Sequence, residues 1–434
     1  LPASLGPLYA GPRARLRPAE NHLPQAGRRV IAVAARRLPA DCPPGLEEQA
    51  LALCGLVGIA DPPRAGVEAA IATCHTAGIK LIMVTGDNPR TALAIARQIG
   101  LVRGDAPGVI TGPELSRLHP AQLQLALDAP EILFARVAAD QKMRIVEALK
   151  AKGHVVAVTG DGVNDAPALS AAHIGIAMGK SGTDVAKEAA DMVLLDDHFA
   201  SIVNAIEEGR AVFQNIRKFL TYVLVHNVAE LVPTLAFALF RIPLPLTPVQ
   251  ALAIDMGTDS LTALGLGVER GDPALMRRPP RPRGERLLSL AVALRAYVFL
   301  GLFEAAAVLA AFFHVLDAGG WAYGTDLAAN DPLYRQATTA SFAAIVLLQI
   351  VNVFLCRSAW RSAFSTGLGG NPLILWGVAL EAGLLVLISY TAWGNALFGT
   401  APLPLEVWLF LLPWAAGMLA IEEARKWFVR RRSG

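Results

Sequence analysis

From Phe219 onward the chain passes through six long apolar stretches, and these limit its fold more than any other feature. We place them at Phe219–Phe240, Leu246–Val268, Leu288–Leu316, Thr339–Cys356, Leu373–Ala392 and Leu405–Ile421. About 20 apolar residues suffice to cross the hydrocarbon of a bilayer. Backbone polar groups in lipid must be satisfied within the segment, so each stretch is expected to be a transmembrane helix. Up to about Arg217 the chain instead mixes charged and apolar residues as a soluble domain does. The hydrophobic share of 54% therefore averages two unlike regions.

Charge in the loops alternates. Arg210, Arg217 and Lys218 precede the first stretch, and Arg270, Arg277, Arg278, Arg281, Arg283 and Arg286 fill the second loop. Arg357 and Arg361 follow the fourth stretch, and Arg425, Lys426, Arg430, Arg431 and Arg432 lie near the end. The loop after the third holds Asp317, Asp326 and Asp331 instead. Basic loops stay on the cytoplasmic side, so the soluble region and the C-terminus are expected in the cytoplasm. The arginines sit at span ends without interleaved aromatics, and the net charge is only +3, which argues against nucleic acid as a partner. Cys42, Cys54, Cys74 and Cys356 have no metal-ligand spacing and read as small buried residues of a reducing compartment.

The soluble region carries its chemistry in one motif used twice. Val155–Val158 is a β-branched strand pattern that runs into Thr159-Gly160-Asp161-Gly162, with Asn164 and Asp165 just beyond. Lys80–Val84 likewise runs into Thr85-Gly86-Asp87. Helical patterns at Arg90–Ile99 and Gln141–Lys150 separate the two. Alternating strands and helices predict a Rossmann-like α/β domain with a parallel sheet. Ligands bind such sheets beyond the carboxyl ends of the strands. Two Thr-Gly-Asp loops at one edge of one sheet would converge on a phosphate. Paired carboxylates beside glycines suit a hard cation such as Mg2+.

Ionisable residues inside the apolar stretches form the second set. Charge at membrane depth is costly and usually functional. The first stretch holds His226, Asn227 and Glu230, with Asn227 and Glu230 three apart on one helix face. Pro233 follows and removes a backbone donor. The second holds Asp255, Thr258 and Asp259, with Gly257 placed where the helix could unwind beside carboxylates, as cation sites in membranes require. The fourth adds Gln349 and Asn352, and the third and fifth add Glu304 and Glu381. Interhelical hydrogen bonding is the plainer account of such groups. For Gln349 and Asn352 the two accounts stand level.

The chain resembles the C-terminal half of a type II P-type ATPase, the group of the calcium and sodium/potassium pumps. The matching stretches are Asp61-Pro62-Pro63-Arg64, Met83–Asp87, Phe134-Ala135-Arg136, Gln141-Lys142, Thr159–Pro167, Ala190–Asp197, Ile242–Leu246 and Ile254–Asp259. The resemblance runs from about Gly27 onward. It implies a haloacid-dehalogenase-like phosphorylation domain followed by an all-α membrane domain of six helices. Residues 1–54 would be a remnant of the nucleotide-binding domain, 55–200 the phosphorylation domain, 201–218 a linker helix and 219–434 the membrane domain.

The resemblance also implies roles. Asp161 would hold Mg2+ with Asp165 and Asn164 in support, Lys142 would contact the transferring phosphoryl group, and Thr85 and Gly86 would bind phosphate. Asp87, Arg136 and Arg29 would lie near ATP. Asn227, Glu230, Asp255, Thr258, Asp259, Gln349, Asn352 and His226 would line the path of an inorganic cation. Asp255 with Gly257 looks more like the sodium/potassium group than the calcium pumps, and Tyr222, Gln349 and Glu381 match a further sodium position there. His226, where sodium pumps have Ser and proton/potassium pumps have Lys, could carry a proton or serve as a neutral donor between helices. Ca2+, Na+, K+ and H+ all stay open, and the implied location is a bacterial plasma membrane. A copper-type pump is disfavoured, because no stretch contains Cys-Pro-Cys.

Departures from the pattern matter as well. The family attacks ATP with the Asp of an Asp-Lys-Thr-Gly-Thr run, and no such run occurs here. The Thr-Gly-Glu loop is also missing. Leu1–Gln25 is Pro/Gly/Arg-rich and looks like a cut end. The expectation is a piece that needs the N-terminal half of the pump as partner and is inactive alone. His173 stands where many relatives have Asp and reads as surface variation. Two other classes compete. A membrane-anchored haloacid-dehalogenase-like phosphohydrolase would use Asp61, at the end of the Leu56–Ala60 strand pattern, although Pro-Pro follows it. A non-catalytic, channel-like membrane protein would pass ions without ATP.

Overall fold

The computed structural model describes residues 29–37, 51–59 and 62–433. Contacts divide the chain into two compact units. The first ends at Glu207 and takes in Ala274–Pro280, and the second comprises Glu208–Pro273 and the residues from Arg281 onward.

In the first unit β1 (Arg29–Ala35) pairs antiparallel with β2 (Ala52–Ile59), with a bulge between Val33 and Ala34. Helix α1 (Val67–Thr76) follows. Then come β3 (Met83–Val84), α2 (Pro89–Gln98), β4 (Gly108–Thr111), α3 (Gly112–Arg117), α4 (Pro120–Ala126) and β5 (Ile132–Ala135). The three strands form a parallel sheet in the order β3-β5-β4. Strand β5 is buried at all four residues, as a central parallel strand covered on both faces must be. The chain continues through α5 (Ala139–Ala151), β6 (Ala157–Gly160), α6 (Ala166–Ala171), β7 (Ile174–Met178), α7 (Asp184–Ala189) and β8 (Met192–Leu194). Its strands make a second parallel sheet, β6-β7-β8.

Helix starts follow their chemistry. Asn88 caps α2 by accepting the Arg90 N–H, with Pro89 at the first position, where a missing donor costs nothing. The Glu114 carboxylate accepts the Thr111 N–H and hydroxyl at the start of α3. The backbone N–H of Thr111 holds the Glu114 carboxyl below its usual range.

Three expectations change here. The second strand begins at Ala157 rather than Val155, and Val155 is 67% exposed. The strands before the two Thr-Gly-Asp loops lie in separate three-stranded sheets among the described residues, not in one. Periodicity marks strands but cannot say which edges pair. Helix α5 is what joins the sheets. Its Ile145 and Ala148 pack with Phe134 and Ile132 of β5, while Val146 packs with Val156 and Ala168 beside β6. Asp61 and Cys42 lie outside the described residues, and Cys54 is exposed rather than buried.

The second unit is helical. It contains most of α8 (Phe199–Leu239), then α9 (Pro248–Ala253), a π-helical turn (Ile254–Thr258), α10 (Asp259–Gly267), α11 (Leu290–Ala318), α12 (Pro332–Cys356), α13 (Pro372–Tyr390) and α14 (Leu405–Ser433). Linker and first apolar stretch are thus one helix of 41 residues, which continues through Pro233. Among the described residues, five helices are long and apolar enough to cross a membrane. The expected second span is absent from that set because the π-helical turn divides it. The helix widens at Asp255 and Gly257 rather than unwinding. Such turns concentrate at functional sites. Helix α12 is the core of the unit, with Phe342, Ile345, Val346 and Leu348 fully buried among residues of α8, α11 and α14.

Candidate phosphate and cation sites

The first site is built at the carboxyl end of β6. Lys142, in the first turn of α5, donates to Asp165 Oδ1 at 2.6 Å. Asp165 Oδ2 accepts the backbone N–H groups of Gly162 at 3.1 Å and Asp161 at 3.3 Å. The loop is thus folded around the Asp165 carboxylate. Gly160 is required there, because a Cβ would overlap Asp165 Cβ. The Asp161 carboxylate accepts no hydrogen bond among the described residues and is exposed, as is Asn164. The Asp161 carbonyl is tied down by the Thr183 N–H at 2.9 Å.

The other loop is tied in by the same helix. Thr85 Oγ1 accepts the Asp87 N–H at 3.1 Å. The Arg136 N–H donates to the Asp87 carbonyl at 3.0 Å, and the Val137 N–H to the Thr85 carbonyl at 3.1 Å. Arg136 itself sits at φ 55°, a strained conformation for a residue with a Cβ. From Val137 the chain enters α5 and reaches Lys142 one turn later, so a bonded path links Thr85 to Asp165. No hydrogen bond joins the Thr85 and Asp161 loops among the described residues. Arg29 is placed by its backbone alone, in β1.

Two motif stretches singled out in the sequence also meet. Arg64 Nη1 donates to the Asp197 carbonyl. Asp197 Oδ1 accepts the Lys180 N–H at 2.9 Å and Oδ2 the Ser181 N–H at 2.8 Å. The Lys180 N–H, then the Ser181 donors, hold the Asp197 carboxyl down at about 2. His173 accepts the Val156 N–H at its Nδ1, 3.1 Å away. It therefore holds the entry to β6 rather than being mere surface variation.

The second site lies among the membrane helices. Asp259 Oδ1 accepts from Tyr222 Oη at 3.0 Å and from Gln349 Nε2 at 2.7 Å, and Thr258 Oγ1 donates to Gln349 Oε1 at 3.2 Å. Thr262 Oγ1 donates to Glu381 Oε1 at 2.6 Å and lies 3.0 Å from the Tyr222 hydroxyl. Close approach of α10 and α13 makes this possible. A Cβ on Gly377 would come within 2.9 Å of the Thr262 nitrogen. His226 Nδ1 lies 2.9 Å from Glu304 Oε1, and the ring packs edge-on against Tyr222 at 4.4 Å. Asn352 is fully buried and accepts from Cys356 Sγ at 3.3 Å.

Not every predicted residue joins this group. Asn227 and Asp255 are exposed in the unit, and Glu230 is half-buried with Oε1 unpartnered. No three His, Cys, Asp or Glu side chains among the described residues converge closely enough to hold a metal ion. Thr262 belongs to the cluster yet was not singled out in the sequence, whereas Tyr222 and Glu381 match the further sodium position and Glu304 is one of the ionisable residues noted there. The signal for the two glutamates was present, since each is a lone carboxylate in an apolar stretch.

Both regions match known families. Residues 243–428 match the model described as cation transporting ATPase, C-terminus. Residues 15–173 and 142–206 match models described as haloacid dehalogenase-like hydrolase. The chain is 40% identical over 415 residues to a probable cation-transporting ATPase F of Mycobacterium tuberculosis, covering 94% of this chain and 44% of that protein. The chain belongs to the cation-transporting ATPases. A sodium/potassium-transporting ATPase subunit alpha of Drosophila melanogaster is 37% identical over 433 residues, covering 88% of this chain and 42% of that protein. A potassium-transporting ATPase alpha chain 2 of Oryctolagus cuniculus is 36% identical, covering 88% and 40%. The chain therefore spans less than half the length of these cation-transporting ATPases. Its haloacid-dehalogenase-like domain and membrane helices are the parts they share.

Proposed function

We propose that the chain is the part of an ATP-driven cation pump that holds Mg2+ and carries most of the ion path. The observation that carries this is the pairing of Lys142 with Asp165, which leaves the Asp161 carboxylate free beside them. An exposed, unpaired carboxylate next to an ammonium is the donor set for Mg2+ plus a phosphoryl group. Asp161 would be the metal ligand and Asp165 would hold the loop. Lys142 would meet the phosphoryl oxygens as a point charge. Mg2+ would neutralise charge on the transferring group. Thr85 and Gly86 would contact phosphate, while Asp87, Arg136 and Arg29 would lie toward ATP.

In the membrane, Asp259, Thr258, Gln349 and Asn352 with His226 would line the path of an inorganic cation, and Glu230, Asp255 and Asn227 would complete it from the open face. Exposure of Asp255 and Asn227 at membrane depth supports a covering element supplied by other pump segments. Such an element would come from the N-terminal half, along with the nucleophilic Asp. The phosphate domain and C-terminus would be cytoplasmic, with the protein in a bacterial plasma membrane.

The test joins these 434 residues to a pump segment that bears Asp-Lys-Thr-Gly-Thr and offers labelled ATP with Mg2+. Acid-stable label is expected in the joined protein and expected to fall at least tenfold in its Asp161→Asn form. Labelling indifferent to Asp161→Asn would remove the Mg2+ role.

A further inference from the structure

We infer that a cavity at the end of α11 binds the ammonium head group of a zwitterionic phospholipid. The cavity holds about 500 Å3, the size of a small-ligand site. Its lining includes Phe313, His314 and Asp317 of α11, Trp321 and Tyr323 of the loop beyond, and Phe410 of α14. None of these residues belongs to the Asp259 cluster, and the transport reading gives them no role.

Phe313, His314 and Asp317 share a helix face, at spacings of three and four residues. The His314 ring stacks on Phe410 at 4.2 Å and closes one side. Trp321 stands edge-on to Tyr323 at 6.2 Å and tilts 39° from Phe313 at 6.4 Å. The Trp321 indole N–H donates to the Thr325 carbonyl at 2.9 Å, so the ring is held before any ligand arrives. The Asp317 carboxylate is exposed on the cavity wall and takes no hydrogen bond or ion pair from any described residue. The loop that follows carries Asp326 and Asp331, with no Lys or Arg before Arg335.

This chemistry selects a cation of a particular kind. Aromatic faces attract cations, Trp most strongly, and several rings around one ammonium is the commonest use of that attraction. Asp317 supplies the countercharge and accepts from an ammonium N–H. The acidic loop repels an anionic head group. An aromatic belt at the bilayer surface is the plainer account of Trp321 and Tyr323. It does not account for a carboxylate among the rings of a cavity. The cavity joins two helices long and apolar enough to cross a membrane to the loop beyond one of them. That is the depth of phospholipid head groups, so lipid rather than a solute supplies the ammonium.

The experiment places the full chain, labelled with 5-fluorotryptophan, in nanodiscs of phosphatidylglycerol with or without phosphatidylethanolamine. The Trp321 fluorine signal is identified by its loss in Trp321→Phe. Phosphatidylethanolamine is expected to shift that signal in the wild type and to leave it unmoved in Asp317→Asn. Asp317 is exposed, so this variant keeps the packing around it. Asp326→Asn removes the same charge from the same loop outside the cavity and is expected to keep the shift. In mass spectra of the intact protein, retention of phosphatidylethanolamine over phosphatidylglycerol is expected to fall about two- to fivefold in Trp321→Leu. A Trp321 signal indifferent to phosphatidylethanolamine would overturn the inference. So would equal loss of the shift in Asp317→Asn and Asp326→Asn, which would reduce the effect to loop charge. A shift given by soluble tetramethylammonium but not by the lipid would overturn it as well.

Discussion

Asp165 and Asp259 are each an anchor for several donors, and their neighbours differ in what they tolerate. Gly160 lies so close to Asp165 that any Cβ displaces the carboxylate. Gly160→Ala is expected to cost about 1–3 kcal/mol through overpacking, read as a lower urea midpoint. Asp197 makes a prediction in pH. Its carboxyl is held at about 2 by the Lys180 and Ser181 N–H groups, below the usual ~3.9 of a free aspartate. The unfolded chain therefore binds that proton more readily. The stabilisation is fully present above about pH 4 and lost as pH falls toward about 2. Asp197 sits at φ 57°, which Asn also tolerates, so Asp197→Asn isolates the charge. The stability gap between wild type and variant should shrink from pH 6 to pH 2, and a constant gap would contradict the assignment. Residue types were legible in the sequence here, because Thr-Gly-Asp has few uses at the end of a strand. The role of Asp197 in holding the Lys180–Ser181 backbone was not, since its partners lie 16 and 17 residues away.

Helices α10 and α13 meet with backbone nearly touching, at Gly377 against Thr262 and at Gly265 against Ile374. Membrane helices gain their packing from such small residues, because lipid gives no hydrophobic drive between them. Gly377→Leu is expected to part the two helices and break the Thr262–Glu381 hydrogen bond. The thermal midpoint in detergent should fall, and cation affinity should fall with it. A variant with lowered midpoint but native affinity would separate the crossing from the site. The π-helical turn explains why the second apolar stretch was legible as a span while its form was not. Composition places Asp255 and Asp259 four apart, as on one α-helical face. The widened turn instead turns Asp259 inward, buried against Gln349, and leaves Asp255 exposed.

Across the whole chain, the Thr159–Pro167 loop and the carboxylate cluster belong to different compact units. Asp-Lys-Thr-Gly-Thr is absent from the 434 residues, so they should take up no acid-stable label from ATP by themselves. Label found on the isolated chain would require another nucleophile and would revive Asp61. The sequence by itself determined the two-region plan and the helical nature of the apolar stretches, and it marked the carboxylates that stand in each region. Those follow from local periodicity, turn chemistry and the cost of charge in lipid, which act over a few neighbouring residues. Only the tertiary structure decided that α5 bridges two separate sheets, that Lys142 meets Asp165, and that His226 is held by Glu304. Those contacts join residues 23 and 78 positions apart, and side-chain packing between elements, not local pattern, selects them.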